Sequence, residues 1–119
     1  FDFRGVKVAE HSGGRALSSP AEVSRAIDAG DQAAVEAWSA EALPGLGRDR
    51  TGHTACFYTM TPDRHAVVGH HPDHPRVTVA VGFSGHGFKL APVIGEALAD
   101  LACDGTTDLP IDFLSPGRF

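Results

Sequence analysis

Gly82-Phe83-Ser84-Gly85-His86-Gly87-Phe88-Lys89 is the stretch on which the fold turns. It follows the β-rich run Arg76-Val77-Thr78-Val79-Ala80-Val81 and precedes the helical run Val93 to Ala102. A strand therefore feeds a glycine-rich turn that opens a helix. Such a junction presents unpaired backbone N–H groups and the positive end of a helix dipole to anything electron-rich. The glycine spacing is G-x-x-G-x-G and not the dinucleotide fingerprint G-x-G-x-x-G. Taken alone, the stretch reads equally well as a flexible connection. Lys89 at its end is what raises it, and the rest of the chain decides what that charge is for.

Working outward, Ala66–Gly69 and Arg76–Val81 are two short strands with His70–Pro75 between them, which predicts a hairpin with a six-residue connection. Downstream, a helix is expected from about Leu90 to Cys103, with Val93, Ile94, Ala97, Leu98 and Leu101 on its buried stripe. Pro92 is tolerable only in its first turn, and Gly105 fits its stop. The tail Ile111–Leu114 is expected to pair briefly before Pro116. Upstream, Thr54, Cys56, Tyr58 and Met60 alternate with Ala55, Phe57 and Thr59, a strand with thiol and phenol on one face, ended by Pro62-Asp63. Farther back lie a short helix over 20–28 opened by Ser19-Pro20 and a longer one after Asp31. That second helix carries Val35, Trp38, Ala42 and Leu43 on one stripe and stops at Pro44-Gly45, with Trp38 as a packing residue. Phe1–His11 reads as a strand with Phe1, Phe3, Gly5, Lys7 and Ala9 on one face and Val6 and Val8 on the other. Apolar residues on both faces direct Lys7 toward an interior or a cleft, where a lysine is costly without a partner. The alternative is an edge lysine whose stem snorkels.

With 119 residues the chain is one small domain's worth, and 42% apolar with 21% charged residues is ordinary for a globular protein. A net charge of −5 argues against a nucleic-acid partner, which calls for a basic face. No apolar run approaches the ~20 residues of a membrane span, so no membrane partner is expected. Cys56 and Cys103 make neither a disulfide scaffold nor a zinc quartet, so a reducing cytoplasm is the expected compartment. Of ten basic residues eight are arginines, and the only lysines are Lys7 and Lys89. Two lysines kept in apolar surroundings suit use as compact, tunable charges. The chain begins at Phe1 and enters strand-like sequence at once, so it is expected to be a piece of something longer.

His65, His70, His71 and His74 crowd into one short stretch, and imidazole is the commonest zinc ligand. No carboxylate or cysteine is spaced as a clear fourth ligand, so no metal residue is assigned. A noncatalytic His-rich metal-binding module remains an alternative reading. Cys56, with His11, His53 and His86 elsewhere, is a candidate nucleophile; no protease-like signature surrounds it, and a small buried hydrophobe is its plainer reading.

Cys56-Phe-Tyr-Thr-Met-Thr-Pro-Asp63, then His65, His71-Pro-Asp-His74, and Val77 through Gly82-Phe-Ser-Gly-His-Gly-Phe-Lys89 with its helix resemble the C-terminal part of the monomeric sarcosine oxidase and N-methyltryptophan oxidase family. These are FAD-dependent, D-amino-acid-oxidase-like enzymes. The resemblance is dense from Cys56 to Lys89, looser before it, and least diagnostic over 12–50; Gly5-Val-Lys-Val-Ala-Glu-His11 still looks like the family's lysine-bearing strand. It implies an α+β chain that is part of an α/β whole. Residues 1–62 would supply mixed-sheet strands of the substrate domain. Residues 63–119 would supply a β-hairpin and C-terminal helix of a Rossmann-like FAD domain.

By position, the resemblance makes Cys56 the thioether attachment point of FAD and Lys89 the partner of the substrate carboxylate beside the flavin ring. Phe83, Ser84, Gly85, His86 and Gly87 would line the cofactor, with their turn and the helix behind it facing the ring edge where negative charge develops. Tyr58 and His11 would line the substrate pocket, and Lys7 would sit near the flavin as an oxygen-activating cation. The implied reaction oxidises the C–N bond of an N-methyl or cyclic amino acid by hydride transfer to FAD, with O2 reduced to hydrogen peroxide. A same-group dehydrogenase with another electron acceptor is the nearest alternative. The N-terminal dinucleotide-binding unit and the family's carboxylate-sharing arginine are absent from these residues, so the missing N-terminal part is an expected partner and the fragment alone is expected to be inactive.

Overall fold

The computed structural model describes residues 5–11, 14–47 and 49–119. They fall into two compact units, residues 1–57 and residues 58–119. Helix and strand are mixed: two α-helices, a two-stranded antiparallel sheet and several 3-10 turns.

In the first unit, Ser19 caps a 3-10 turn over Pro20–Glu22, its hydroxyl accepting from the Ala21 N–H at 3.2 Å. The helix expected over 20–28 is no longer than this, since Val23 returns to extended backbone. Helix α1 spans Ala29–Ala42. Its cap is Asp28 and not Asp31: Asp28 is extended, and its carboxylate accepts from the N–H groups of Gly30 and Asp31 at 2.8 and 3.2 Å. Asp31 lies inside the first turn, where its charge complements the dipole. Trp38 corrects the packing expectation, for it is 56% exposed and α1 buries no residue. The strand expected over Phe1–His11 has two parts. Residues 1–4 lie outside the described residues, and 5–11 form no strand, so Lys7 is exposed rather than directed inward.

The second unit is built on the hairpin. Strand β1, Val67–His71, pairs antiparallel with β2, His74–Val81, placing Val67 opposite Val81 and Val68 opposite Ala80. The connection is Pro72-Asp73, shorter than the six residues expected, because His70, His71, His74 and Pro75 join the strands across an irregularity at His70/His71. Helix α2, Ala91–Asp104, packs on both strands and buries Ile94, Ala97 and Leu101. Pro92 sits in its first turn, where no N–H is needed, and Gly105 closes it in the left-handed region at φ 77°. Tail residues 112–114 form a 3-10 turn and not a strand, because Leu114 turns into the core.

Val68, at 1% exposure, is the centre of a cluster with Ala66, Ile94 and Leu114, against which Ala80, Phe83, Leu98 and Ile111 pack. Burying a side chain of that size contributes about 1.5–3 kcal/mol. Since Phe83 belongs to this cluster, the core reaches into the glycine-rich turn and fixes its first residues. Among the described residues no helix is long and apolar enough to cross a membrane.

Candidate functional site

Residues 82–89 leave β2 and enter α2 through two tight turns. Gly82 has φ 65°, Ser84 φ 50° and Gly85 φ 84°. The His86 N–H donates to the Phe83 carbonyl at 2.9 Å, so Ser84 and Gly85 are the central residues of a β-turn with positive φ at both. Gly82 is needed on two grounds, for a Cβ there would lie 2.6 Å from Thr61 Cγ2 on a left-handed backbone. Gly87 then caps a 3-10 turn over Phe88–Leu90, the Leu90 N–H donating to its carbonyl at 3.0 Å. A Cβ at Gly87 would come within 2.9 Å of the Phe83 ring. Glycine at 87 therefore lets the turn fold back over Phe83.

Ser84 is the pivot, 2% exposed in a conformation that side-chain-bearing residues rarely adopt. Its N–H donates to the Thr59 carbonyl at 3.1 Å, its hydroxyl donates to the Gly82 carbonyl at 3.3 Å, and its Oγ accepts the Thr61 N–H at 3.3 Å. With those groups satisfied, burial of the polar side chain is not penalised. The other end of the turn is open. Among the described residues the N–H groups of Gly85 and Gly87 find no protein acceptor, and Gly85, His86, Phe88 and Lys89 are exposed. Phe88 stands at 98% exposure. A cation beside exposed N–H groups, at the entry to a 14-residue helix, can hold an anionic group or developing negative charge. Such a donor set suits the electron-rich edge of a flavin ring.

Thus Phe83, Ser84, Gly85, His86, Gly87 and Lys89 are brought together on one connection, with Tyr58 one residue before the Thr59 carbonyl that Ser84 engages. Lys7, His11 and Cys56 belong to the first unit. There Cys56 is an exposed free thiol, which corrects the expectation of a buried small hydrophobe. The strand expected over 54–60 does not form. Its backbone groups are met singly, Ala55 O by an Arg25 guanidinium N–H at 3.3 Å and Thr59 O by the Ser84 N–H, so no ladder is available.

Two features had no local signal. Arg118 donates to both carboxylate oxygens of Asp63, at 2.7 and 3.2 Å. Chiefly through the hydrogen bond to Arg118, the Asp63 carboxyl is held well below the usual carboxylate range. The second feature is the Thr61–Ser84 contact, which spans 23 residues; Thr61-Pro62-Asp63 announced only a turn. The histidine cluster has a different occupation. His71 Nδ1 accepts from the Asp73 N–H at 3.1 Å, the His71 and His74 rings lie 5.0 Å apart, and His70 Nε2 meets the Gly105 carbonyl at 3.3 Å. Among the described residues no group of three His, Cys, Asp or Glu side chains is arranged to hold a metal ion.

A family model described as FAD dependent oxidoreductase matches residues 3–101. The chain is 42% identical to the monomeric sarcosine oxidase of Streptomyces avermitilis over 96% of its length, and 38% identical to that of Bacillus sp. (strain NS-129) over 99%. It is 36% identical to the N-methyl-L-tryptophan oxidase of Salmonella dublin over 96%. The chain spans about 30% of the length of these curated relatives.

Proposed function

The chain belongs to the FAD-dependent oxidoreductase family, and from that premise we propose that it is the C-terminal portion of an oxidase of N-methyl or cyclic amino acids that reduces O2 to hydrogen peroxide. The observation that carries the reading is the Gly82–Lys89 connection, with its exposed N–H groups and a lysine at the mouth of α2. Bound FAD would supply the acceptor for the two electrons of C–N oxidation. What this chain's residues do is bind, orient and neutralise.

Lys89 binds the substrate carboxylate. An ammonium meets an anion there without the geometric demands of a guanidinium. The N–H groups of Gly85 and Gly87 would be available to the ring edge that becomes electron-rich, and their fixed orientation would need no reorganisation as charge develops. Phe83 and Ser84 anchor the turn on the core, and His86 would contact the cofactor. Tyr58 and His11 would each contact the rest of the amino acid. Lys7, exposed in this chain, would supply a positive charge for oxygen as it accepts electrons from bound FAD. Cys56 provides the covalent attachment of FAD. In the domain plan that goes with this reading, residues 1–62 belong to the substrate domain and 63–119 to the FAD-binding domain, in a cytoplasmic protein.

Screening N-methyl and cyclic amino acids under air with the FAD-loaded protein that carries this chain tests the reading. Peroxide formation dependent on such a substrate is expected. Turnover with an artificial electron acceptor and no peroxide would make it a dehydrogenase; no turnover with any of them would overturn it.

A further inference from the structure

Beneath the glycine turn the hydrogen bonds form one connected path to the end of the chain. Arg118 donates from Nη2 to the His65 carbonyl at 2.8 Å, and the same carbonyl accepts the Thr61 hydroxyl, also at 2.8 Å. Thr61 in turn gives its N–H to Ser84 Oγ, and the two hydroxyl oxygens lie 3.4 Å apart. Ser84 completes the path through the Thr59 and Gly82 carbonyls. The guanidinium at its far end is held by both oxygens of Asp63 and by the Leu114 and Ser115 carbonyls at 2.8 and 3.2 Å.

Each proton on this path has one well-placed acceptor. The Thr61 hydroxyl proton goes to His65 O, the shorter of its two contacts, which leaves the Ser84 proton for Gly82 O and the Ser84 lone pair for the Thr61 N–H. The path also ends on the one turn residue that is both buried and left-handed without being glycine. Strain of that kind persists only where the surroundings over-determine it.

We infer that Thr61 and Arg118 are positioning residues: they fix the Ser84–Gly85 turn, and through it Lys89, without touching substrate or cofactor. The inference rests on the reading of Lys89 as the carboxylate-binding group. Thr61→Val keeps the shape and deletes the hydroxyl, while Thr61→Ser keeps the hydroxyl. A single hydrogen bond of ordinary strength corresponds to about a fivefold effect.

Two readouts on the FAD-loaded protein separate the possibilities. Amide exchange at Ser84 and His86 should quicken in Thr61→Val, by about fivefold, and return toward the original rate in Thr61→Ser. The KM for N-methylglycine should rise in Thr61→Val with kcat little changed, and Lys89→Met should raise the same KM further. Unchanged exchange at both turn amides in Thr61→Val would overturn the inference, even if the variant melts earlier. If exchange responds while Lys89→Met leaves KM unmoved, the carboxylate role of Lys89 fails and the positioning role stands. Should Thr61→Val not fold, Arg118→Lys, which breaks the fork at the far end, reads out the same two amides with the same criterion.

Discussion

A methyl group on residue 82 would sit 2.6 Å from Thr61 Cγ2, on a backbone at φ 65°. Gly82→Ala therefore combines left-handed strain with a clash, and a loss on the order of 1–3 kcal/mol is expected from the strain alone. Denaturant titration of the variant checks it; a midpoint unchanged from the parent would mean the turn relaxes freely. In the proposed role of Lys89, its contact with a substrate carboxylate is a charge-assisted one. Lys89→Ala should raise the KM for an anionic substrate on the order of tenfold to a hundredfold, read by steady-state kinetics with N-methylglycine. Lys7→Met should slow reoxidation by O2 while sparing reduction by substrate, on the order of a hundredfold by analogy with the loss of one charge-stabilising donor. Stopped-flow measurement of the two half-reactions separates these, and equal losses in both would count against the role. Lys89 and Cys56 stand out as candidates because a charge beside glycines and a thiol are chemically conspicuous, whereas the burial expected of Trp38, Lys7 and Cys56 does not hold in this chain. Ser84 as pivot was not legible, since nothing local marks a serine that takes positive φ because a threonine 23 residues away binds it.

Helix α2 was legible almost to its ends, because Pro92 and Gly105 each act within one turn of helix; of the expected stripe, Ile94, Ala97 and Leu101 are buried and Leu98 packs on the core, while Val93 is exposed. The hairpin was legible as two strands, but His71 and His74 belong to the strands and not to the expected connection, held by strand pairing and a tilted ring contact. Alternation over 54–60 misled for a plain reason. Alternation reports two-sided environments, whereas a strand also needs a neighbour's backbone, and Ala55 and Thr59 find their partners one at a time. The Asp63–Arg118 pair ties the turn after Thr61 to the tail and predicts acid sensitivity for the second unit. Because the folded-state pKa of Asp63 is depressed, its stabilisation is present above the unfolded value and is lost as pH falls through the folded one. Stability should thus decline from about pH 4 downward, and Asp63→Asn should flatten that limb in urea titrations taken across the acid range. An unaltered acid limb would show that other carboxylates control it.

At the scale of the whole molecule, the chain spans about 30% of the length of its curated relatives, and it divides into two units. Composition could bound the class but not the chemistry. The flavin reading came from the order of motifs along the chain, and membership of the FAD-dependent oxidoreductase family now supports it. Cys56 offers an independent check, because its thiol is exposed and belongs to the first unit. Flavin absorbance should stay with the denatured protein and leave it in Cys56→Ser; flavin lost equally from both would remove the covalent bond while leaving FAD binding in place. The most direct test is made without oxygen, by mixing the FAD-loaded protein with N-methylglycine, an N-methylated aromatic amino acid or a cyclic amino acid. At least one should bleach the flavin absorbance, with recovery and peroxide on admitting air. A flavin that stays oxidised with every one of these substrates would contradict the assignment.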